Sequence, residues 1–264
     1  MADVLVVDSV SHHFGGLKVL QNINLKVADR SFVGLIGPNG SGKTTLFNIV
    51  TGFLTPAEGR VFFDGQDMSG LPVEARSRAG LVRTFQTPHV FDNMSVLENV
   101  MTGCHKITSG GFVSSMLALP QRGRDLALAR ERATASCMRF GFARDLDAPA
   151  SSLPAGRRRL LELARACVGE PKMLLLDEPS SGLTSPEIKT LVNWLHDIHQ
   201  SGITLLLVSH HMELMDAVGN VSVLDFGRII GNGSLQEVKA MPHVQKAYLG
   251  TEVGAIKEAA DVEG

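Results

Sequence analysis

The chain has 264 residues, 44% of them hydrophobic, 20% charged and 5% aromatic, enough for one large domain or two small ones around a substantial core. Lys+Arg 25 against Asp+Glu 27 leaves a formal net charge of −2, so no global field recruits nucleic acid or anionic lipid. Cys104, Cys137 and Cys167 are odd in number and widely spaced, with no CxxC pair, which argues for reduced cytosolic thiols and against a disulfide frame or zinc site. Met1-Ala2-Asp3 lacks the basic segment and apolar run of a signal peptide, and no stretch nears the ~20 apolar residues that cross a bilayer. The expectation is a soluble chain whose membrane role, if any, comes through partners.

Val4 to Val10 reads as a short strand, and Lys18 to Val27 alternates imperfectly at strand period. Phe32 to Ile36 is a buried-strand run ending at Gly37, and Thr45 to Val50 continues as helix. Val61-Phe62-Phe63 into Asp64-Gly65 reads as strand and turn, and Leu81 to Phe85 as another strand. From Val96 to about Arg144 the texture is helical, broken at Ser109-Gly110-Gly111 and Pro120, with strong helix formers from Gln121 to Arg139. After Pro149 to Pro154 come a helix at Arg157 to Val168 and strands at Met173 to Leu176, Thr204 to Val208 and Val221 to Asp225. A helix at Pro186 to His199 separates the first two. The alternation predicts a largely parallel sheet covered on both faces. The insert between about 88 and 165 reads as a separate helical lobe, and Thr251 to Gly264 as a loosely held tail.

Gly37-Pro38-Asn39-Gly40-Ser41-Gly42-Lys43-Thr44-Thr45 matches GxxxxGK[ST] between a buried strand and a helix. Its glycines let backbone N–H groups curve around a polyphosphate, and the helix start adds the positive end of its dipole. Lys43 reaches the β- and γ-phosphates and the Thr44 hydroxyl ligates Mg²⁺; the competing reading is a chance glycine turn. Downstream, Met173-Leu174-Leu175-Leu176-Asp177-Glu178 is an apolar strand ending in two acids, where desolvation opposes charge. Beside a phosphate loop they have a use: Asp177 holds Mg²⁺ through water, and Glu178 polarises the attacking water. By themselves they are equally a solvated turn into Pro179.

With these motifs placed, nearly the whole chain resembles the ATP-binding subunit of ABC transporters, nearest to the ATPases of branched-chain amino acid importers. The resemblance implies an α/β P-loop NTPase of ABC type. Its features are a mostly parallel sheet core, an N-terminal antiparallel β portion and a helical subdomain, in one domain over 1–250. It implies that Phe14 stacks on adenine and that Gln86 touches Mg²⁺ and water. His210, with His211 one residue on, is the implied γ-phosphate switch. Leu153-Pro154-Ala155-Gly156-Arg157 stands at the family signature, usually Leu-Ser-Gly-Gly-Gln, and Ser181-Gly182-Leu183-Thr184 at the loop that normally ends in Asp or Asn. Phe53 and Gln245-Lys246-Ala247-Tyr248-Leu249-Gly250 resemble the amino-acid importer branch specifically.

In this family two ATPase chains pair head to tail and each signature completes the partner's site. Pro154 brings neither a hydroxyl nor an N–H there, which leaves the Gly156 backbone and the following helix start to favour an anion. Arg157 either supplies charge toward the partner's nucleotide or, with Arg158 and Arg159, is a solvated face that pairs with acids. The resemblance implies ATP and Mg²⁺ as ligands. The implied partners are a second ABC ATPase chain, identical or not, two transmembrane permease subunits and, indirectly, a periplasmic substrate-binding protein, with no nucleic acid. The implied location is peripheral, on the cytoplasmic face of the inner membrane. Three rival functions stand beside the importer: a lipopolysaccharide-type exporter ATPase, a catalytically weak regulatory subunit, and a soluble ABC protein of DNA repair or translation. The cargo stays open among branched-chain or other amino acids, amides and urea.

Overall fold

The alternation near the N-terminus builds two long antiparallel strands, β1 (Asp3–Phe14) and β2 (Leu17–Ala28). In β2, Ile23, Leu25 and Val27 are buried while Asn24 and Lys26 face solvent, as expected of a sheet covered on one side. The computed structural model describes residues 2–106 and 120–248. Those residues form two units, one reaching Arg76 and resuming at Thr204, the other Ser77–Ile203. The break at Ser109-Gly110-Gly111 and the tail at 251–264 lie outside the described residues.

In the first unit, β4 (Glu58–Phe63) pairs with β1 and the short β5 (Gln66–Asp67) with β4, giving the antiparallel order β2-β1-β4-β5. β1 runs past the expected end at Val10 because its polar tail, His12 to Phe14, pairs with Leu20, Lys18 and Leu17. Backbone ladder bonds, rather than side-chain burial, extend it. A second group centres on β3 (Phe32–Ile36), buried at every position and parallel to both β8 (Thr204–Val208) and β9 (Asn220–Asp225). A strand covered on both faces reads as an unbroken apolar run. β10 (Arg228–Gly233) returns antiparallel to β9. The helices are α1 (Lys43–Thr51), α2 (Val73–Ala79), which crosses the unit boundary, α7 (Met212–Met215) and α8 (Leu235–Ala240).

In the second unit, β6 (Leu81–Thr84) and β7 (Met173–Asp177) pair in parallel, Leu81 opposite Met173 and Thr84 opposite Leu176. Around them lie α3 (Val96–Met101), α4 (Pro120–Arg139), α5 (Ala155–Cys167) and α6 (Ser185–Gln200). Ser95 and Glu98 form a reciprocal capping box at the start of α3. Ala129, Ala133 and Cys137 recur at helical spacing along α4 and are buried, so small side chains mark its inward face. Phe140, just past α4, stacks on Trp194 of α6 with centroids 5.0 Å apart. All three cysteines are free and buried, and burial pushes the Cys137 thiol up to about 11 and the Cys167 thiol up to about 12.

Five short elements have no counterpart in the sequence reading: β5, β10, α2, α7 and α8. β10, Arg-Ile-Ile-Gly-Asn-Gly, is poor in strand formers and forms because the Phe226-Gly227 turn delivers it to the free edge of β9. α8 carries a legible signal, the Ser234/Glu237 capping box.

One buried arginine joins α1 to α2. Arg76, 1% exposed, donates from Nη1 to the carbonyls of Ile49 and Val50 and from Nε to that of Leu71. It thereby closes the C-terminal end of α1, where carbonyls lack helical partners. Arg76→Ala removes the donor to the Val50 and Leu71 carbonyls, leaving the Ile49 carbonyl only its bond from the Gly52 N–H, and is expected to destabilise the protein by about 3 kcal/mol. The measurement is the urea midpoint, which should fall at an unchanged m value.

Candidate functional site

The glycine turn, Phe14 and His210 belong to the first unit. At the exit of β3, a Cβ on Gly37 would lie 2.0 Å from the Leu224 carbonyl oxygen of β9. Gly42 caps α1 at φ 109, and a Cβ there would lie 2.7 Å from Leu20 Cδ2. Neither position accepts a side chain. The Ser41 carbonyl accepts from the Gly227 N–H at 3.0 Å, while the Ser41 hydroxyl is buried without a partner. Lys43 folds back over the turn, its Nζ 2.8 Å from both the Gly37 and Pro38 carbonyls. Thr44 faces solvent in the first turn of α1, with Thr45 beside it half-buried.

Phe14 ends β1, 51% exposed, with the His12 ring edge-on at 4.8 Å. His210 is exposed, just past β8 and the buried Ser209. His211 stacks obliquely on it at 4.6 Å, and its backbone is committed locally: its N–H donates to Ser209 Oγ and its carbonyl accepts from Leu214 N–H. The importer-like segment from Gln245 brings Lys246 and Ala247 to a cleft of about 370 Å³ whose other wall is Pro38 to Ser41. Phe53 lies just past α1, half-exposed, donating its N–H to the Asn48 carbonyl.

Gln86, the two acids and the signature turn belong to the second unit. Asp177, 6% exposed at the end of β7, is paired with Arg83 of the neighbouring β6 at 2.6 Å, both side chains almost fully buried. Glu178 follows at φ 46, a left-handed backbone that costs about 1–3 kcal/mol in a residue other than glycine. Strain of this kind collects where a side chain must be aimed. Gln86 is exposed just beyond β6, and its carbonyl accepts from Arg159 Nη2.

The signature turn departs from the expectation of an open anion site. Leu153 is buried, Pro154 caps α5, and Ala155 begins it. Gly156 packs against the Glu187 carboxylate of α6, whose Oε1 would lie 2.4 Å from a Cβ at that position. Glu187 also takes the N–H and hydroxyl of Thr184 on Oε2, at 2.9 and 2.8 Å. These bonds, the Thr184 backbone donor foremost, hold its carboxyl below the usual range. Thr184, irregular for its loop, is thus the cap residue of α6. The three arginines all have acids: Arg157 pairs with Asp145 at 2.5 Å and lies over the Phe142 ring, Arg158 pairs with Asp92, and Arg159 with Glu162.

Sequence reasoning missed Arg83, Arg159, Glu162 and Glu187. Arg83 carried a signal, a charge inside a strand otherwise apolar up to Thr84. Glu187 stands three residues after Thr184, the spacing of a capping box. Nothing in the sequence distinguishes Arg159 from its two solvent-accessible neighbours.

Residues 20–181 match the ABC transporter family. The chain is 36% identical over 249 residues to the high-affinity branched-chain amino acid transport ATP-binding protein LivG of Escherichia coli, covering 94% of this chain and 98% of that one. It is 35% identical over 251 residues to BraF of Pseudomonas aeruginosa, with the same coverage. Among solved structures it is similar to an ATP-binding cassette of an ABC transporter in its ADP conformation, at TM-score 0.82 and 29% identity, covering 95% of this chain and 100% of that one. A nucleotide-free cassette matches at TM-score 0.80 and 29% identity, over 94% and 99% of the two chains.

Arg157, tied to Asp145 and Phe142 in its own unit, has its charge satisfied locally. Arg157→Ala is expected to cost about 1 kcal/mol of stability from a half-exposed ion pair and a cation–π contact. Nucleotide-dependent self-association, followed by size-exclusion chromatography with ATP, is expected to be unchanged.

Proposed function

The chain belongs to the ABC transporter family, and on that footing we propose that it is the ATP-hydrolysing subunit of a membrane importer for branched-chain or chemically related amino acids. The cargo rests on the full-length likeness to proteins named for branched-chain amino acid transport. The ATPase chemistry rests on one observation above all: a turn too tight for side chains at Gly37, with a buried unpartnered hydroxyl on Ser41 and an ammonium at its mouth. Those groups suit a polyphosphate, because an unpaired hydroxyl and a cation converge on a turn whose backbone can come close to an anion.

The glycine turn at 37–45, through every backbone N–H it has (Pro38 has none), and Lys43 hold the phosphates, and Phe14 stacks the adenine. Thr44 and Gln86 would hold Mg²⁺ directly and Asp177 would hold it through water, and the ion would neutralise phosphate charge. Glu178 orients and deprotonates the attacking water, and His210 donates to the γ-phosphate. Two cassettes pair head to tail over ATP, and loss of the γ-phosphate contact lets them part. One cassette domain over 1–250, with its helical portion at about 88–165, passes that motion to two permease subunits. A periplasmic binding protein delivers the cargo to them. The chain sits peripherally on the cytoplasmic side of the membrane; among the described residues no helix is long and apolar enough to cross one.

A second reading concerns the partner's site. Pro154 offers no donor and the Glu187 carboxylate lies against Gly156, where its negative charge opposes an anion, so the composite site completed by this signature is the weaker of the two. This favours a heterodimer with a companion whose own signature is intact.

Glu178→Gln is expected to bind ATP, trap the closed pair and lose turnover by at least about 100-fold, read as phosphate release beside chromatographic dimerisation. Full turnover in that variant removes Glu178 from the role of base. Deleting the chain is expected to abolish uptake of radiolabelled leucine by intact cells while uptake of urea continues. Unchanged leucine uptake overturns the cargo.

A further inference from the structure

The Gln86 side chain is aimed by a residue that never touches it. Arg159, on α5 one turn beyond the signature, is 1% exposed. Its Nη1 donates to the Phe85 carbonyl at 2.7 Å and its Nη2 to the Gln86 carbonyl at 2.5 Å. Those carbonyls belong to the two peptide planes flanking the Gln86 Cα. Fixing both planes fixes φ and ψ at that residue, and with them the direction of its Cα–Cβ bond. Glu162, one turn further along α5, completes the grip. It accepts from Arg159 Nη1 on Oε2 at 2.7 Å and from the Phe85 N–H on Oε1 at 3.3 Å. Two side chains of one helix thus hold three backbone groups of Phe85 and Gln86, all inside the second unit. A planar guanidinium with rigidly forked donors can span adjacent carbonyls; a lysine ammonium cannot.

We infer that Arg159 and Glu162 are positioning residues for Gln86, a backbone clamp that makes the signature helix and the Gln86 segment move as one piece. The inference rests on the reading of Gln86 given above. Any displacement of the signature turn, as when a second cassette docks on it, is carried by the guanidinium to the Gln86 Cα. The signature of one cassette therefore reports to that same chain's Gln86, besides completing the partner's site. The arrangement also accounts for a buried charge that contacts no phosphate-binding residue through its side chain.

Arg159→Lys keeps the charge that Glu162 needs and loses the fork, so the fold should survive. Amide hydrogen exchange on the nucleotide-free chain should then show the peptide containing Phe85 and Gln86 exchanging ~10-fold faster, with β7 unchanged. In steady-state hydrolysis with the assembled pair, kcat should fall ~10-fold while KM for ATP stays within about two-fold. Combined with Gln86→Ala, Arg159→Lys should lower kcat by less than a further two-fold or so, since both act through one group. Multiplying losses in the double variant, or unchanged exchange at Phe85 and Gln86, overturns the clamp while leaving the role of Gln86 intact. Normal turnover in Gln86→Ala alone removes the role of Gln86, and the clamp's function falls with it.

Discussion

The backbone at Gly37 passes so near the Leu224 carbonyl that even a methyl group is excluded, and the shape of the glycine turn follows from that approach. One limb is pressed against β9; the other is tied by the Gly227 N–H to the Ser41 carbonyl. Because β3 is locked in parallel register with β9, Leu35 opposite Ser222 and Ile36 opposite Val223, the turn is held at one end by buried strands and at the other by the turn that follows β9. Donors fixed in this way need no reorganisation when an anion arrives. Lys43 rests on the Gly37 and Pro38 carbonyls and so keeps its charge at the turn.

The second unit relies on buried ion pairs. Removing two charges from water is costly, and a buried pair seldom stabilises more than an apolar pair of the same volume. Both pairs here sit where geometry matters more than stability. Arg83 neutralises Asp177, whose carboxylate would otherwise be stranded at the end of an apolar strand. Arg159 and Glu162 neutralise each other while gripping the backbone beside Gln86. Arg83 holds one carboxylate oxygen of Asp177, while the Arg159 fork spans two carbonyls.

The irregular signature and its neighbouring loop explain one another. Thr184, in place of Asp or Asn, caps α6 and draws Glu187 toward it. Glu187 then lies against Gly156, so close that a Cβ there would strike its carboxylate at 2.4 Å. Pro154 removes the hydroxyl and Glu187 brings a negative charge to the same turn. Two substitutions that look independent along the chain thus converge on the same few ångströms.

The glycine turn, the acid pair and the buried strands β3, β7 and β8 are legible in the sequence because each is a local pattern: a contiguous motif, or an apolar run with a defined end. Strand order and the short elements are less so. β10 forms on a free edge made by β9, and the polar end of β1 forms on β2, so both are hairpin pairings specified by backbone hydrogen bonds to the neighbouring strand and not by an apolar pattern. Only the tertiary structure decided the partners of charged residues. Arg157, Arg158 and Arg159 are identical in composition and adjacent in the chain, yet one lies over an aromatic ring, one meets a loop acid and one is buried against Gln86. A helix turns about 100° per residue, so three neighbours face three environments. Sequence fixes what each side chain can donate; the surrounding backbone fixes which acceptor comes within reach.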